Sequence, residues 1–171
     1  MDNIKIAIYI IIFFVYSYFG AVFEHISYYL DPDSKKLLQN PIIEGFPLYG
    51  MGALLIYLLI KLLNLNMTEK NSNGDNITKN NIANIFSIFT VGAVIGTLIE
   101  YFVGMNVGAG EFSGISAEEA KKGISSWDYR GEPYNYKGII SLRHFITWGL
   151  AGIFIAWFTP GVENELYRGL R

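Results

Sequence analysis

Residues Ile6 to Leu30 read IAIYIIIFFVYSYFGAVFEHISYYL, and no charge interrupts them between Lys5 and Glu24. A stretch this long and this apolar decides which solvent the chain meets. In hydrocarbon the backbone N–H and C=O groups find no water, so they must pair along a helix, and one crossing takes about 20 mostly apolar residues. The stretch is too long for a signal-peptide core and lacks a small-residue cleavage pattern, so it is expected to stay in the mature protein. Three further stretches satisfy the same test. Leu48 to Leu65 carries only Lys61, close enough to its end to snorkel into the headgroups. Ile82 to Val107 is interrupted by Glu100, and Ile139 to Phe158 stops at Thr159-Pro160-Gly161, a helix-ending sequence. The expected fold is therefore all-α, a single polytopic membrane domain over 1–171 with about four transmembrane helices.

Composition agrees. Hydrophobic residues make up 51% of the chain and charged ones 16%, below the roughly 25% of ordinary soluble domains. A net charge of -2 with scattered lysines offers no basic field for nucleic acid. With no cysteine there is no disulfide framework and no thiolate nucleophile. Two histidines are too few to predict a metal site, and no cofactor is expected.

Between spans two and three, Asn66 to Asn81 is rich in Asn, Lys, Ser and Gly and reads as a solvated loop. Residues 31–47 and 108–138 mix Gly and Pro with Trp127, Tyr129, Tyr134 and Tyr136, which suits folded interfacial caps. Ser116-Ala117-Glu118-Glu119 has the form of a capping box opening a short surface helix. Four crossings put both termini and the Asn-rich loop on one side and the caps on the other. Lys and Arg are nearly balanced between the two sides, so the positive-inside rule does not choose; cytoplasmic termini, in the cell membrane, are the expected orientation.

Gly20-Ala21-Val22-Phe23-Glu24 matches Gly96-Thr97-Leu98-Ile99-Glu100, and Gly45-x-Pro47 with Gly52 matches Gly131-x-Pro133 with Gly138. The order suggests a duplicated two-helix unit, parallel, with its axis along the membrane normal. Both glutamates lie roughly 27 Å along their helices from Ile6 and Ile82, so they fall near the cap face with Arg143, His144 and the Trp127-Asp128-Tyr129-Arg130 run. Ionisable groups in membrane segments turn inward and pair. Arg143 is the expected partner of a glutamate, with His144 or Lys137 serving the other. Two carboxylates facing each other would share a proton or a cation, whereas simple pairing would only fix helix packing. Glu24, Glu100, Arg143, His144, Trp127, Asp128 and Tyr129 are thus the candidate binding residues, and no catalytic residue is assigned. Tyr49, Trp127, Tyr129 and Trp148 read first as interfacial anchors. Gly92, Gly96, Gly104, Gly149 and Gly152 read as points of close helix approach. The chain holds no Gly-x-x-x-x-Gly-Lys-Ser/Thr loop, no His-Glu-x-x-His and no Gly-x-Ser-x-Gly, so an ATP-driven role requires a separate ATPase subunit.

Leu48-Tyr49-Gly50-x-Gly52-Ala53-Leu54, Glu100-Tyr101-x-x-Gly104, Trp127-Asp128-Tyr129 with Asn135-x-x-Gly138-x-Ile140-x-Leu142, and Trp148-Gly149-Leu150 resemble the bacterial membrane family of ABC-transporter permeases of the CmpB type. With the Gly20 to Glu24 end of span one, the resemblance covers most of the chain. It implies a transport-related, permease-like subunit. Its expected partners are membrane lipid, a second copy in a homodimer, and an ATPase subunit. The competing expectations are an interfacial lipid-binding protein or lipid-modifying enzyme, and a non-catalytic membrane scaffold.

Overall fold

Ile, Phe, Val and Tyr crowd the apolar stretches, residue types that in water favour strands. Here the backbone's own hydrogen bonding overrides that preference, and among the described residues stand four α-helices: α1 (Asn3–Leu30), α2 (Pro41–Leu62), α3 (Ile82–Val107) and α4 (Leu142–Gly169). The computed structural model describes residues 3–30, 41–65, 67–70, 76–78, 82–114, 116 and 128–170, without the side chains of residues 24, 25, 27–30, 41–46, 68–70, 76–78 and 107. Trp127 and the expected capping-box helix after Ser116 lie outside the described residues. Among the described residues three helices are long and apolar enough to cross a membrane, within Asn3–Phe23, Ile82–Ser113 and Leu142–Gly169; the apolar part of α2, Pro47–Leu62, is shorter.

The helices associate as two antiparallel hairpins, α1 against α2 and α3 against α4, which meet chiefly through α2, packed against both α3 and α4. Ile8, Ile12, Ile56, Tyr57, Ile88 and Ile155 form the buried seam. Outward stand Ile10, Phe14, Phe19, Phe86, Leu98, Leu150 and Trp157, a surface that only hydrocarbon solvates cheaply.

Small residues set the spacing within each hairpin. A Cβ on Gly92 would come within 2.9 Å of the Gly152 Cα, so α3 and α4 touch backbone to backbone there. In both hairpins one glycine of the first helix lies under an aromatic ring of the second: Gly20 under Tyr49, and Gly96 under Trp148. The residue after each aromatic, Gly50 or Gly149, lies against Phe13 or Phe89, each seven residues before the first glycine. The duplication expected from Gly20–Glu24 and Gly96–Glu100 thus has a packing counterpart. The Gly-x-Pro part of the match does not. Pro47 is inside α2 and Gly52 faces Trp148, whereas Pro133 is in a turn and Gly138 adopts φ +65°.

Three sequence-derived boundaries shift. Residues 41–47 belong to α2 rather than to a cap. Pro160 does not end the fourth helix, which runs on to Gly169. A proline forfeits one intrahelical hydrogen bond, yet the turns around it are held from outside. The Tyr16 and Thr159 hydroxyls hydrogen-bond at 2.7 Å, Glu163 is gripped by α2, and Leu166 and Tyr167 pack on the core. The Asn-rich connection is not wholly irregular either. Strands β1 (Thr68–Lys70) and β2 (Asn76–Thr78) pair antiparallel, so their backbone groups satisfy one another, and neighbouring Met67 is buried in the core.

Candidate functional site

The cap before α4 is built on a turn that only particular residues allow. Asn135 Oδ1 accepts the Gly138 N–H at 3.1 Å, and Asn135 Nδ2 donates to the Glu132 carbonyl at 2.8 Å. Gly138 has φ +65°, and a Cβ on it would also lie 3.1 Å from Asp128 Oδ1, so glycine is required twice over. Its carbonyl accepts the Tyr129 N–H at 2.8 Å, and the short strands β3 (Asn135–Tyr136) and β4 (Ile140–Ser141) close the hairpin. A single 3-10 turn, Gly110–Ser113, backs it through the Glu111 N–H donated to the Lys137 carbonyl at 2.9 Å.

Asp128 and Arg130 lock the other end. The Asp128 side chain is 3% exposed and accepts from Arg130 Nε at 2.9 Å to both oxygens, from its backbone N–H at 3.0 Å, and from its terminal NH2 group. Burial works against the Asp128 charge, yet the Arg130 hydrogen bonds and charge outweigh it and hold the carboxyl below the usual carboxylate range. Asp128 is therefore committed to the cap's own architecture.

Tyr129 turns toward α4. Its ring stacks on His144 with centroids 4.0 Å apart and planes at 18°. Ser141 caps α4, accepting the His144 backbone N–H at 3.3 Å, and its Oγ is 2.8 Å from His144 Nδ1. Glu132 bridges the cluster, 3.8 Å from His144 Nδ1 and 3.8 Å from the Arg143 guanidinium. Ser141 and Glu132 approach the same ring nitrogen, and Ser141 is 1% exposed. The three therefore do not form the relay in which nucleophile and carboxylate use opposite nitrogens. A histidine between a carboxylate and a guanidinium can instead gain or lose a proton and change how both are held.

One turn further along α4, Trp148 donates its Nε1–H to Glu100 Oε1 at 2.9 Å across the α3–α4 seam. Glu100 is 8% exposed. The indole stacks on Tyr49 with centroids 6.4 Å apart, and its far edge lies 2.9 Å from where a Gly52 Cβ would stand. Trp148 and Tyr49 are consequently interhelical partners rather than rim anchors, and Tyr129 is likewise engaged within the protein. The expected pairing of Arg143 with Glu100 does not form. Arg143 is at the rim, its side chain 67% exposed and turned to Glu132, because it opens α4 on a different face from Trp148. Glu24 occupies the position in α1 that Glu100 occupies in α3, four residues past the glycine under the aromatic ring. Its side chain lies outside the described part.

Not every unusual polar group gathers at the caps. At the opposite end Lys61 donates to both oxygens of Glu163 at 2.9 Å and to the Tyr9 hydroxyl at 3.5 Å, while the Tyr57 hydroxyl donates to the same carboxylate. Tyr57, Lys61 and Glu163, with Pro160 and Asn164, border a cleft of about 160 Å³. The sequence does not single out Glu163, because Thr159-Pro160-Gly161 reads as the end of the fourth span. Glu132, between Gly131 and Pro133, stands in a stretch whose sequence has no periodicity to mark it. Ser141 carried a usable signal, since a serine directly before an apolar run is an N-cap pattern. Among the described residues no group of His, Asp and Glu is arranged to hold a metal ion.

No curated protein and no solved structure matches the chain. The family described as "Putative ABC-transporter type IV" matches residues 11–169, from the first third of α1 to the end of α4, and so takes in both hairpins and the cap. With its apolar helices this makes the protein a transport-related membrane protein, and the chain belongs to that ABC-transporter type IV family.

Proposed function

We propose that this chain is a permease-like, multi-pass subunit of the cell membrane that crosses four times with both termini cytoplasmic. In this reading Glu24 and Glu100 form a polar site at the cap face, bordered by Tyr129, His144 and Arg143, with Trp127 and Asp128 shaping the cap above it. The observation that carries it is the Glu100 carboxylate, buried in the bundle and held by Trp148 at the junction of α2, α3 and α4. An ionisable group costs about 2.5–3.5 kcal/mol near the membrane midplane and less toward the interface, and apolar residues pack two helices without that cost. If the Glu24 carboxylate faces that of Glu100 the two repel, and a shared proton or cation between them is favoured.

Glu100→Gln removes the charge while keeping an acceptor for Trp148. In proteoliposomes with an entrapped pH-sensitive dye and a potassium gradient, wild type is expected to dissipate the proton gradient faster than Glu100→Gln. Equal rates in the two would refute the site. Because the chain carries no P-loop motif, ATP-driven transport would proceed through a separate ATPase subunit, recovered by co-purification from native membranes.

A lipid-headgroup reading of the cap face has one observation in its favour. Arg143 presents a largely exposed guanidinium at the rim beside Glu132 and His144, where a phosphate could replace Glu132. Chemically altered lipid in overproducing cells would favour this reading over transport.

A further inference from the structure

The outer seam of α1 and α2 carries an apolar groove of about 380 Å³ lined by Ile6, Tyr9, Ile10, Phe13, Phe14 and Leu54. Ile6, Ile10 and Phe14 are 39–54% exposed, so the groove opens to the surroundings of the bundle. Its end away from the caps is cationic. Tyr9 is a wall of the groove and also a neighbour of Lys61, whose ammonium is 3.5 Å from the Tyr9 hydroxyl and 5.8 Å from its ring centre. Lys61 keeps 41% of its side chain exposed despite its ion pair with Glu163. Lys5, one helical turn before Tyr9 on the same face of α1, is exposed and has no ion-pair partner among the described residues. Among the described residues Glu163 offsets one of these two charges, which leaves one positive charge at the groove end.

We propose that this seam is a binding site for an anionic phospholipid, with one acyl chain in the Ile6–Phe14 groove and the phosphate between Lys5 and Lys61. The argument joins two independent features at Tyr9. An apolar channel alone would accept any tail, and exposed lysines alone any anion, whereas a channel that ends at a cationic rim selects a molecule with both parts. Each lysine near an anionic headgroup is worth about a fivefold preference. Burial of the acyl methylenes supplies headgroup-independent affinity.

The test uses the full chain, purified in mild detergent with equimolar phosphatidylglycerol and phosphatidylcholine and read by native mass spectrometry. Wild type is expected to retain one phosphatidylglycerol in preference to phosphatidylcholine. Lys5→Gln, which breaks no ion pair among the described residues, is expected to lower that preference about fivefold. Ile10→Trp fills the groove without changing charge and is expected to reduce retention of both lipids. Equal retention of the two lipids by wild type would overturn the proposal, as would unchanged retention in Ile10→Trp. A lipid-free dimer that cross-links through cysteines introduced at Phe14 would do the same, by showing a second copy in the groove.

Discussion

Gly96→Ala adds one methyl group at the point where the second hairpin is tightest. Its Cβ would fall inside the Trp148 side chain, among the Cβ, Cγ and Cδ2 atoms. The indole cannot slide away freely. Its far edge meets α2 at Gly52, one face is stacked on Tyr49, and its N–H is bonded to Glu100. Overpacking of this kind costs about 1–3 kcal/mol. A ring forced to turn also breaks the Glu100 bond, about 1.5–3 kcal/mol for a charged acceptor, and alanine's better helix propensity returns about 1 kcal/mol. The net loss is about 3 kcal/mol, which for a chain of this length lowers Tm by roughly 6–12 °C. The assay is thermal unfolding of the purified protein in a fixed detergent, followed by tryptophan fluorescence. Gly161→Ala is the control: that glycine is helical, a Cβ on it would meet nothing within 4 Å, and the substitution should leave Tm unchanged or raised. In Gly96→Ala/Trp148→Leu the clash is gone, so Trp148→Leu should cost much less on the Gly96→Ala background than alone. A Gly96→Ala protein that melts with wild type would refute the placement of Trp148 over Gly96, and with it the packing equivalence of the two hairpins.

Thr159→Val replaces a hydroxyl bonded to Tyr16 at a site that is 0% exposed; leaving the tyrosine hydroxyl unsatisfied should cost about 1–3 kcal/mol in the same melting assay, and a neutral result would mean that water or another group serves Tyr16. Acid should loosen the cap specifically: the folded Asp128 carboxyl lies below its unfolded value, so its contribution is complete above about pH 4 and is lost as pH falls through the depressed folded pKa. Amide exchange over residues 128–141, after correction for intrinsic rates, is expected to accelerate as pH falls below about 4, and Asp128→Asn should show the faster exchange already at neutral pH and lack that step.

The sequence alone determined the solvent and where the four long apolar helices lie, because satisfaction of backbone hydrogen bonds in hydrocarbon depends on segment length and polarity and not on the partner chosen. It also placed Glu24 and Glu100 at matching ends of α1 and α3, since a fixed rise per residue converts spacing into depth. Partner choice was beyond it. Arg143 and Trp148 begin the same helix five residues apart, so they point to different faces, and only the docking of α4 on α3 decided that an indole rather than a guanidinium meets Glu100. The Thr159-Pro160-Gly161 signal was overridden for the same reason: Tyr16, Tyr57 and Lys61, distant in sequence, hold the turns on either side of the proline. Local rules describe what a segment can do by itself, and in this bundle the positions of its charges were settled by contacts between segments far apart in the chain.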